Sequence, residues 1–227
     1  MPKRIYPILL LVFLLGACAE EAPSPDPYDP AHDYFSFSNT EQFLTQHLAL
    51  DLSVDFEAQQ LRGSATLSMQ KLDSKATDIV LDTRDLAIQA VEFLPGDGAP
   101  ISATYRFGDS DPIKGTPLIV ELPAGAEAVD EVRLRLHYAT SPNSTALQWL
   151  PPALTAGGEQ PLMFSQSQSI HARSWVPLQD TPAVRITYEA HISTPPQLLA
   201  VMSANNDPET PRRGDYRFVM PQPIPSY

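Results

Sequence analysis

Only one cysteine, Cys18, occurs in the 227 residues, so no intrachain disulfide can form. No apolar run reaches the roughly 20 residues that a membrane-crossing helix needs. Basic residues are few: 15 Lys and Arg stand against 27 Asp and Glu, for a formal net charge of -12. That balance argues against nucleic acid and anionic membrane surfaces as partners. Histidines that could form a zinc-protease pair are missing too. His32, His47, His137, His171 and His191 include no two at the HExxH spacing, and a zincin-type metal site needs that spacing. A GxSxG nucleophile elbow is also absent. Long helical patterns are scarce, while Pro is abundant at 24 residues. Proline suits turns and sheet edges but not helix interiors, so β structure is favoured.

What is present begins with 43% hydrophobic residues, enough for a sizeable core in one large all-β domain. The N-terminus reads MPKRIYPILLLVFLLGACAEE. Lys3 and Arg4 form a positive n-region, and Ile8 to Leu15 form a short apolar h-region. Leu15-Gly16-Ala17-Cys18 then resembles a bacterial lipobox, which makes residues 1–17 a signal peptide and Cys18 the lipidated first residue. The bland reading is a plain secretory signal with a chance cysteine. With lipidation, acyl chains would supply the anchor at roughly 0.8 kcal/mol per buried methylene. Ala19, rather than Asp, after the cysteine points to the outer membrane, with the periplasmic face of either membrane open to a lipoprotein. Residues 18–33, rich in Pro and acid, read as an extended tether, and residues 34–227 as the folded domain.

A helix or turn is expected at Asn39 to Leu44, capped by Asn39 or Thr40. From Gln46 a period of two sets in. Leu48, Leu50, Leu52, Val54 and Phe56 alternate with polar or small neighbours, which predicts a half-buried strand. Leu61 to Leu72 predicts its hairpin partner. Asp78 to Phe93 should hold one or two strands broken at Thr83 to Asp85, and Pro95 to Gly98 a turn. Further strands are expected at Ser102 to Phe107, Leu118 to Leu122, Glu131 to Tyr138, Val184 to Ile192, Leu198 to Ala204 and Tyr216 to Met220. The expected fold is all-β, a large curved antiparallel sheet or a sandwich of about ten strands.

Chemistry-bearing groupings are sparse. His47, His137 and His191 fall on the polar faces of their strands, where a solvent-facing role is the ordinary one. Asp51, Asp55 and Glu57, or Asp109 and Asp111, could be paired carboxylates but read better as charged edges and turns. Trp149 and Trp175 could stack on sugars, yet burial is the commoner fate of tryptophan. The unusual stretch is FSQSQSIHARSWVPLQDTP, from Phe164 to Pro182. Read as a strand, it puts Phe164, Gln166, Gln168 and Ile170 on one face, and Ser165, Ser167, Ser169 and His171 on the other. An amide both donates and accepts. The two glutamines could therefore bond neighbouring backbone, or hold a ligand's amine and carbonyl at a cleft.

ALQWL from Ala146, PLMFSQSQSIHAR from Pro161, PLQDTPAVRITY from Pro177, LAVMSA from Leu199 and PIPSY from Pro223 occur in that order. Together they resemble the N-terminal domain of the leukotriene A(4) hydrolase type of zinc aminopeptidase. The likeness is dense from Thr145 to Tyr227 and looser from Asp33 to Tyr138. It implies an all-β first domain that lends one edge to the cleft of a zinc catalytic domain. The GxMEN and HExxH motifs of that second domain are absent here. The chain thus reads as a fragment: inactive and without zinc by itself, its metal belonging to the full-length enzyme. By position, the resemblance implies that Gln168 contacts the N-terminal end of a peptide substrate and that Gln166 lines the site beside it. Ser167 departs from the family, which has Cys there, and relatives in the wider class carry Glu in place of the second Gln. Implied partners are the peptide N-terminus, the missing zinc domain and a membrane reached only through the lipid. A stand-alone β-sheet lipoprotein that binds peptides, glycans or a protein remains the alternative.

Overall fold

In the computed structural model, residues 33–96, 98–124, 129–207 and 209–227 are described. The expected signal peptide, Cys18 and the expected tether up to His32 lie outside them. The described residues form twelve strands: β1 (Phe43–Asp55), β2 (Gln60–Lys71), β3 (Asp78–Thr83), β4 (Ala87–Phe93), β5 (Ile101–Ser102), β6 (Tyr105–Phe107), β7 (Thr116–Glu121), β8 (Glu131–Ala139), β9 (Leu147–Leu150), β10 (Leu162–Ser165), β11 (Arg185–Ser193) and β12 (Asp215–Pro225). Seven of them make one sheet in the order β12-β11-β1-β2-β8-β4-β5. A three-stranded sheet runs β3-β7-β6, and β9 pairs β10. The expected all-β class is met, with one refinement: β1 and β11 pair in parallel, His47 opposite Thr187 through Ser53 opposite Ser193. Parallel neighbours need a long crossover, and here most of the chain lies between them.

Period-two patterning builds the core. Leu48, Leu50 and Leu52 of β1 point the same way as Leu67 and Met69 of β2 and Leu134 and Leu136 of β8. They pack in one buried cluster with Ile79 and Leu81 of β3 and Leu118 and Val120 of β7. Each fully buried aliphatic side chain stabilises by about 1.5–3 kcal/mol. Gly63 lies at φ +149, and a Cβ there would meet the Asp51 carbonyl oxygen at 1.9 Å, so the β1–β2 ladder demands glycine at that point. On the rim, β12 is an edge strand, and Pro221, Pro223 and Pro225 recur at every second position of its last half.

Of the helix or turn expected at Asn39 to Leu44, the structure has the turn: Gln42 N–H and Phe43 N–H both donate to the Asn39 carbonyl, and β1 already starts at Phe43. The Asn39 side chain is drawn away from capping, since it donates to Asp78 O and accepts from Val80 N–H. Three expected strands need correction. Ser102 to Phe107 is not one strand but two short pieces in different sheets, β5 beside β4 and β6 beside β7. Leu198 to Ala204 is not a strand. The Asn206 amide accepts from Met202 N–H and donates to the Met202 and Ala204 carbonyls, so a side chain takes the bonds a ladder would have used. The strand expected across Gln166 to His171 ends at Ser165.

Candidate functional site

The loop that follows β10 is shaped by its own polar groups. Gln166 N–H donates to the Ala146 carbonyl at 2.8 Å, a last bond beyond the β9–β10 ladder. The Gln166 side-chain oxygen then accepts the Gln168 N–H at 2.7 Å. The indole N–H of Trp175 donates to Ser167 Oγ at 3.0 Å and holds that serine inside the domain. His171 N–H returns to the Ser167 carbonyl at 2.9 Å, and Ala172–Ser174 forms a 3-10 turn. The Gln168–Ser169 peptide is cis. Once donors are spent on side chains in this way, the strand cannot continue, and the two-faced reading of the segment fails past Ser165.

Both glutamines are exposed. The Gln166 side-chain NH2 group and the whole Gln168 amide make no hydrogen bond among the described residues. They are not equivalent, however. Gln166 lines a groove of about 770 Å³, whereas Gln168 is not among its lining residues. The groove wall is apolar, with Leu48, Leu50 and Ile186 from the large sheet and Val176 and Leu178 behind the loop. Leu162, Phe164, Leu199, Val201 and Tyr227, all exposed large side chains, converge on the same groove. Tyr188 also lines it. It is 7% exposed, and its hydroxyl is buried without a hydrogen-bond partner. Burial raises its pKa, so the phenol stays neutral and can donate. The sequence places Tyr188 within the strand expected at Val184 to Ile192, but no local pattern reports the groove beside it.

Behind the loop lies a buried charged cluster. Arg173, Asp82 and Asp180 are each fully inaccessible. Arg173 Nε donates to Asp180 Oδ2 at 3.0 Å, the backbone N–H of Arg173 donates to the same oxygen at 3.1 Å, and its NH1 lies 3.6 Å from Asp82. Asp82 accepts from Ser36 Oγ, Phe37 N–H and Asp180 N–H. Desolvation raises the Asp82 pKa, opposed by the neighbouring guanidinium and these hydrogen bonds. Gln179 is buried beside the cluster. Its amide accepts from Thr45 N–H and Oγ1 and donates to the Phe43 carbonyl, which satisfies β1 next to its register shift at Thr45/His47. The sequence offered no sign of this cluster, because an isolated Arg or Asp reads as surface until its distant partner is known.

The remaining candidates separate. His47 bonds Thr187, and His137 bonds Glu92. His171 pairs with Thr145, and His191 sits between Asp51 at 3.1 Å and Asp215 at 2.9 Å. Both ring nitrogens of His191 therefore face carboxylates and offer no lone pair to a metal. Among the described residues, no group of three or more His, Cys, Asp or Glu could hold a metal ion. Asp109 and Asp111 lie in a loop where Asp111 accepts the Ile113 and Lys114 N–H groups, which lowers its pKa and marks a turn rather than a catalytic pair. Trp149 packs edge-on against Phe56 at 5.4 Å, and Trp175 is committed to Ser167.

The model of the Peptidase M1 N-terminal domain matches residues 28–227. Leukotriene A-4 hydrolase of Xenopus laevis is 40% identical over 200 residues, which is 86% of this chain and 32% of that protein. Leucine aminopeptidase 2 of Pyricularia oryzae is 34% identical, over 87% of this chain and 32% of its own length. The chain therefore spans about a third of these relatives. Among solved structures, yeast LTA4 hydrolase in complex with Bestatin superposes with a TM-score of 0.76 at 34% identity, covering 88% of this chain and 30% of that one. An M1 zinc metallopeptidase from Deinococcus radiodurans, at 22% identity and a TM-score of 0.58, shares the fold.

Proposed function

The chain belongs to the Peptidase M1 N-terminal domain family, and on that premise we propose that it is the substrate-edge domain of a zinc-dependent aminopeptidase. Its relatives of known activity include leukotriene A-4 hydrolase and leucine aminopeptidase 2. The observation that carries the reading is a pair of exposed carboxamides on a short, well-tethered loop, with the Gln168 side-chain amide and the Gln166 NH2 group free of hydrogen bonds among the described residues and Gln166 at the rim of an apolar groove. In this reading Gln168 accepts a hydrogen bond from the free ammonium group of a bound peptide, and Gln166 lines the site beside it. Hydrogen bonds to charged groups are worth about 1.5–3 kcal/mol. A neutral acceptor serves the ammonium without titrating.

The groove itself would seat the zinc-bearing domain. Five exposed apolar side chains converging on one concave surface are what a domain interface leaves bare. The residues present do not fit a zinc centre, since both His191 nitrogens face carboxylates and no described cluster offers three ligands. The metal and its chemistry belong to a further part of the enzyme, and the present chain is proposed to be a fragment without peptidase activity of its own. Residues 1–17 are proposed as a signal peptide, 18–33 as a tether and Cys18 as the lipid attachment point that keeps the protein at the periplasmic face of the outer membrane. Metabolic labelling with a fatty acid, lost in Cys18→Ser, checks that assignment.

The deciding experiment reads the gene beyond the codon for Tyr227. In-frame GxMEN and HExxH motifs are expected, and a stop codon there would instead leave a stand-alone binding lipoprotein. In the joined enzyme, Gln168→Ala should raise KM for an aminoacyl reporter by about tenfold, the loss of one hydrogen bond to a cation. An unchanged KM would remove Gln168 from the site.

A further inference from the structure

The groove has two lips, and both hang from a single carboxylate. One lip is the loop bearing Gln166 and Ser167, and the other is Ile224 to Tyr227 at the end of β12. The first is anchored through the 3-10 turn Ala172–Ser174. There Ser174 Oγ accepts the Ala146 N–H, the Ala146 carbonyl accepts the Gln166 N–H, and Trp175 grips Ser167. That turn is fixed by Arg173, whose backbone N–H and Nε both donate to Asp180 Oδ2. The second lip is fixed by Ser226, whose hydroxyl donates to the other oxygen, Asp180 Oδ1, at 2.6 Å. Arg173 also donates to the Lys114 and Asp180 carbonyls, so its guanidinium cannot swing away.

We propose that Asp180, with Arg173, is a positioning pair that sets the spacing of the two lips and so the placement of the Gln166–Gln168 loop. The assignment of a substrate task to that loop rests on the function proposed above; the mechanical coupling does not. Asp180 is fully buried and its two oxygens accept separately from the anchors of the two lips, Arg173 and Ser226, so a change at one lip is felt at the other. Charge-assisted hydrogen bonds are short and about twice as strong as neutral ones. The cluster is therefore stiff enough to hold an exposed loop that has no ladder of its own.

The test uses the full chain and two mild variants, because Arg173→Lys or Asp180→Asn would alter several buried hydrogen bonds at once and destabilise the whole domain. Ser226→Ala removes only the tie to the second lip, and Ser226→Thr keeps the hydroxyl. Amide hydrogen exchange is read at Gln168 and His171 in the first lip, and at Leu67 and Leu134 in the sheet. The Trp175 indole N–H signal is followed by NMR. Ser226→Ala is expected to speed exchange at Gln168 and His171 by about tenfold, the loss expected for one hydrogen bond to a charged group. It should shift the indole signal and leave Leu67 and Leu134 as they were, and Ser226→Thr should restore all three. Unchanged loop exchange in Ser226→Ala, or acceleration spread evenly over loop and sheet, overturns the coupling. A gene that stops after Tyr227 would overturn the aminopeptidase reading and leave this result standing.

Discussion

β8 and the stretch from Ala172 to Thr181 are close in length, and both support the core, but they are buried by different rules. In β8 every second residue turns inward: Val132, Leu134, Leu136 and Tyr138 are buried, while Glu131 and Arg133 face water. From Ala172 to Thr181 every residue except Trp175 is buried. Five of those buried residues, Arg173, Ser174, Gln179, Asp180 and Thr181, carry polar or charged groups. The strand is held by transfer of apolar area and could accept many aliphatic replacements. The irregular stretch is held by polar groups that each have a named partner, and loss of a single partner leaves its neighbour desolvated and unpaired.

This contrast can be broken most sharply at Arg173. Arg173→Met removes the cation from two buried carboxylates and is expected to destabilise the chain by about 3–5 kcal/mol. Chemical denaturation measures it, and a cost below that of a core leucine would refute the difference between the two regions. Leu134→Ala in β8 comes next, at about 2–5 kcal/mol, for lost transfer energy plus the cavity left behind. Gln179→Leu, similar in volume, strands Thr45 N–H and the Phe43 carbonyl and should cost about 1–3 kcal/mol. A near-neutral outcome would mean that β1 can repair its register shift without the amide.

The smallest effect is expected on the wet face of the sheet. His191 can donate from both ring nitrogens only as the cation, and its hydrogen bonds to Asp215 and Asp51 raise its pKa above the usual 6.5. Its contribution is fully present below about pH 6.5 and is lost as pH rises through the raised folded value. Exposed pairs of this kind contribute below about 1 kcal/mol. A pH series of denaturation midpoints, compared with His191→Gln, isolates that slope. The variant should be flat where the parent falls.

The legibility of the sequence follows the same divide. β1, β2, β8 and β11 were readable because alternation is a local signal, carried by residues such as Leu48, Leu50 and Leu52 without reference to anything distant. Asp78 to Phe93 split where expected, at a break where Asp85 adopts φ +55. The parallel pairing of β1 with β11 was invisible, since no local pattern reports which strand will be the neighbour. Leu198 to Ala204 and Gln166 to His171 were misread as strands because Asn206, Trp175 and Ser167 supply bonds that alternation does not encode. In the proposed site, Gln166 and Gln168 stand out in the sequence only through ordered family motifs; both lie exposed, and only Gln166 lines the groove. Tyr188 and the Arg173 cluster depended on residues up to about a hundred positions apart, as between Asp82 and Asp180.

The three alternating prolines at the free margin of the large sheet carry a consequence for behaviour in concentrated solution. Without N–H groups at Pro221, Pro223 and Pro225, a visiting chain cannot complete a ladder along that rim. Growth by strand addition, the first step toward a cross-β fibril, is thereby disfavoured where the backbone would otherwise invite it. Any clumping of the purified material should come from greasy contacts around the groove and should yield to mild detergent rather than produce filaments.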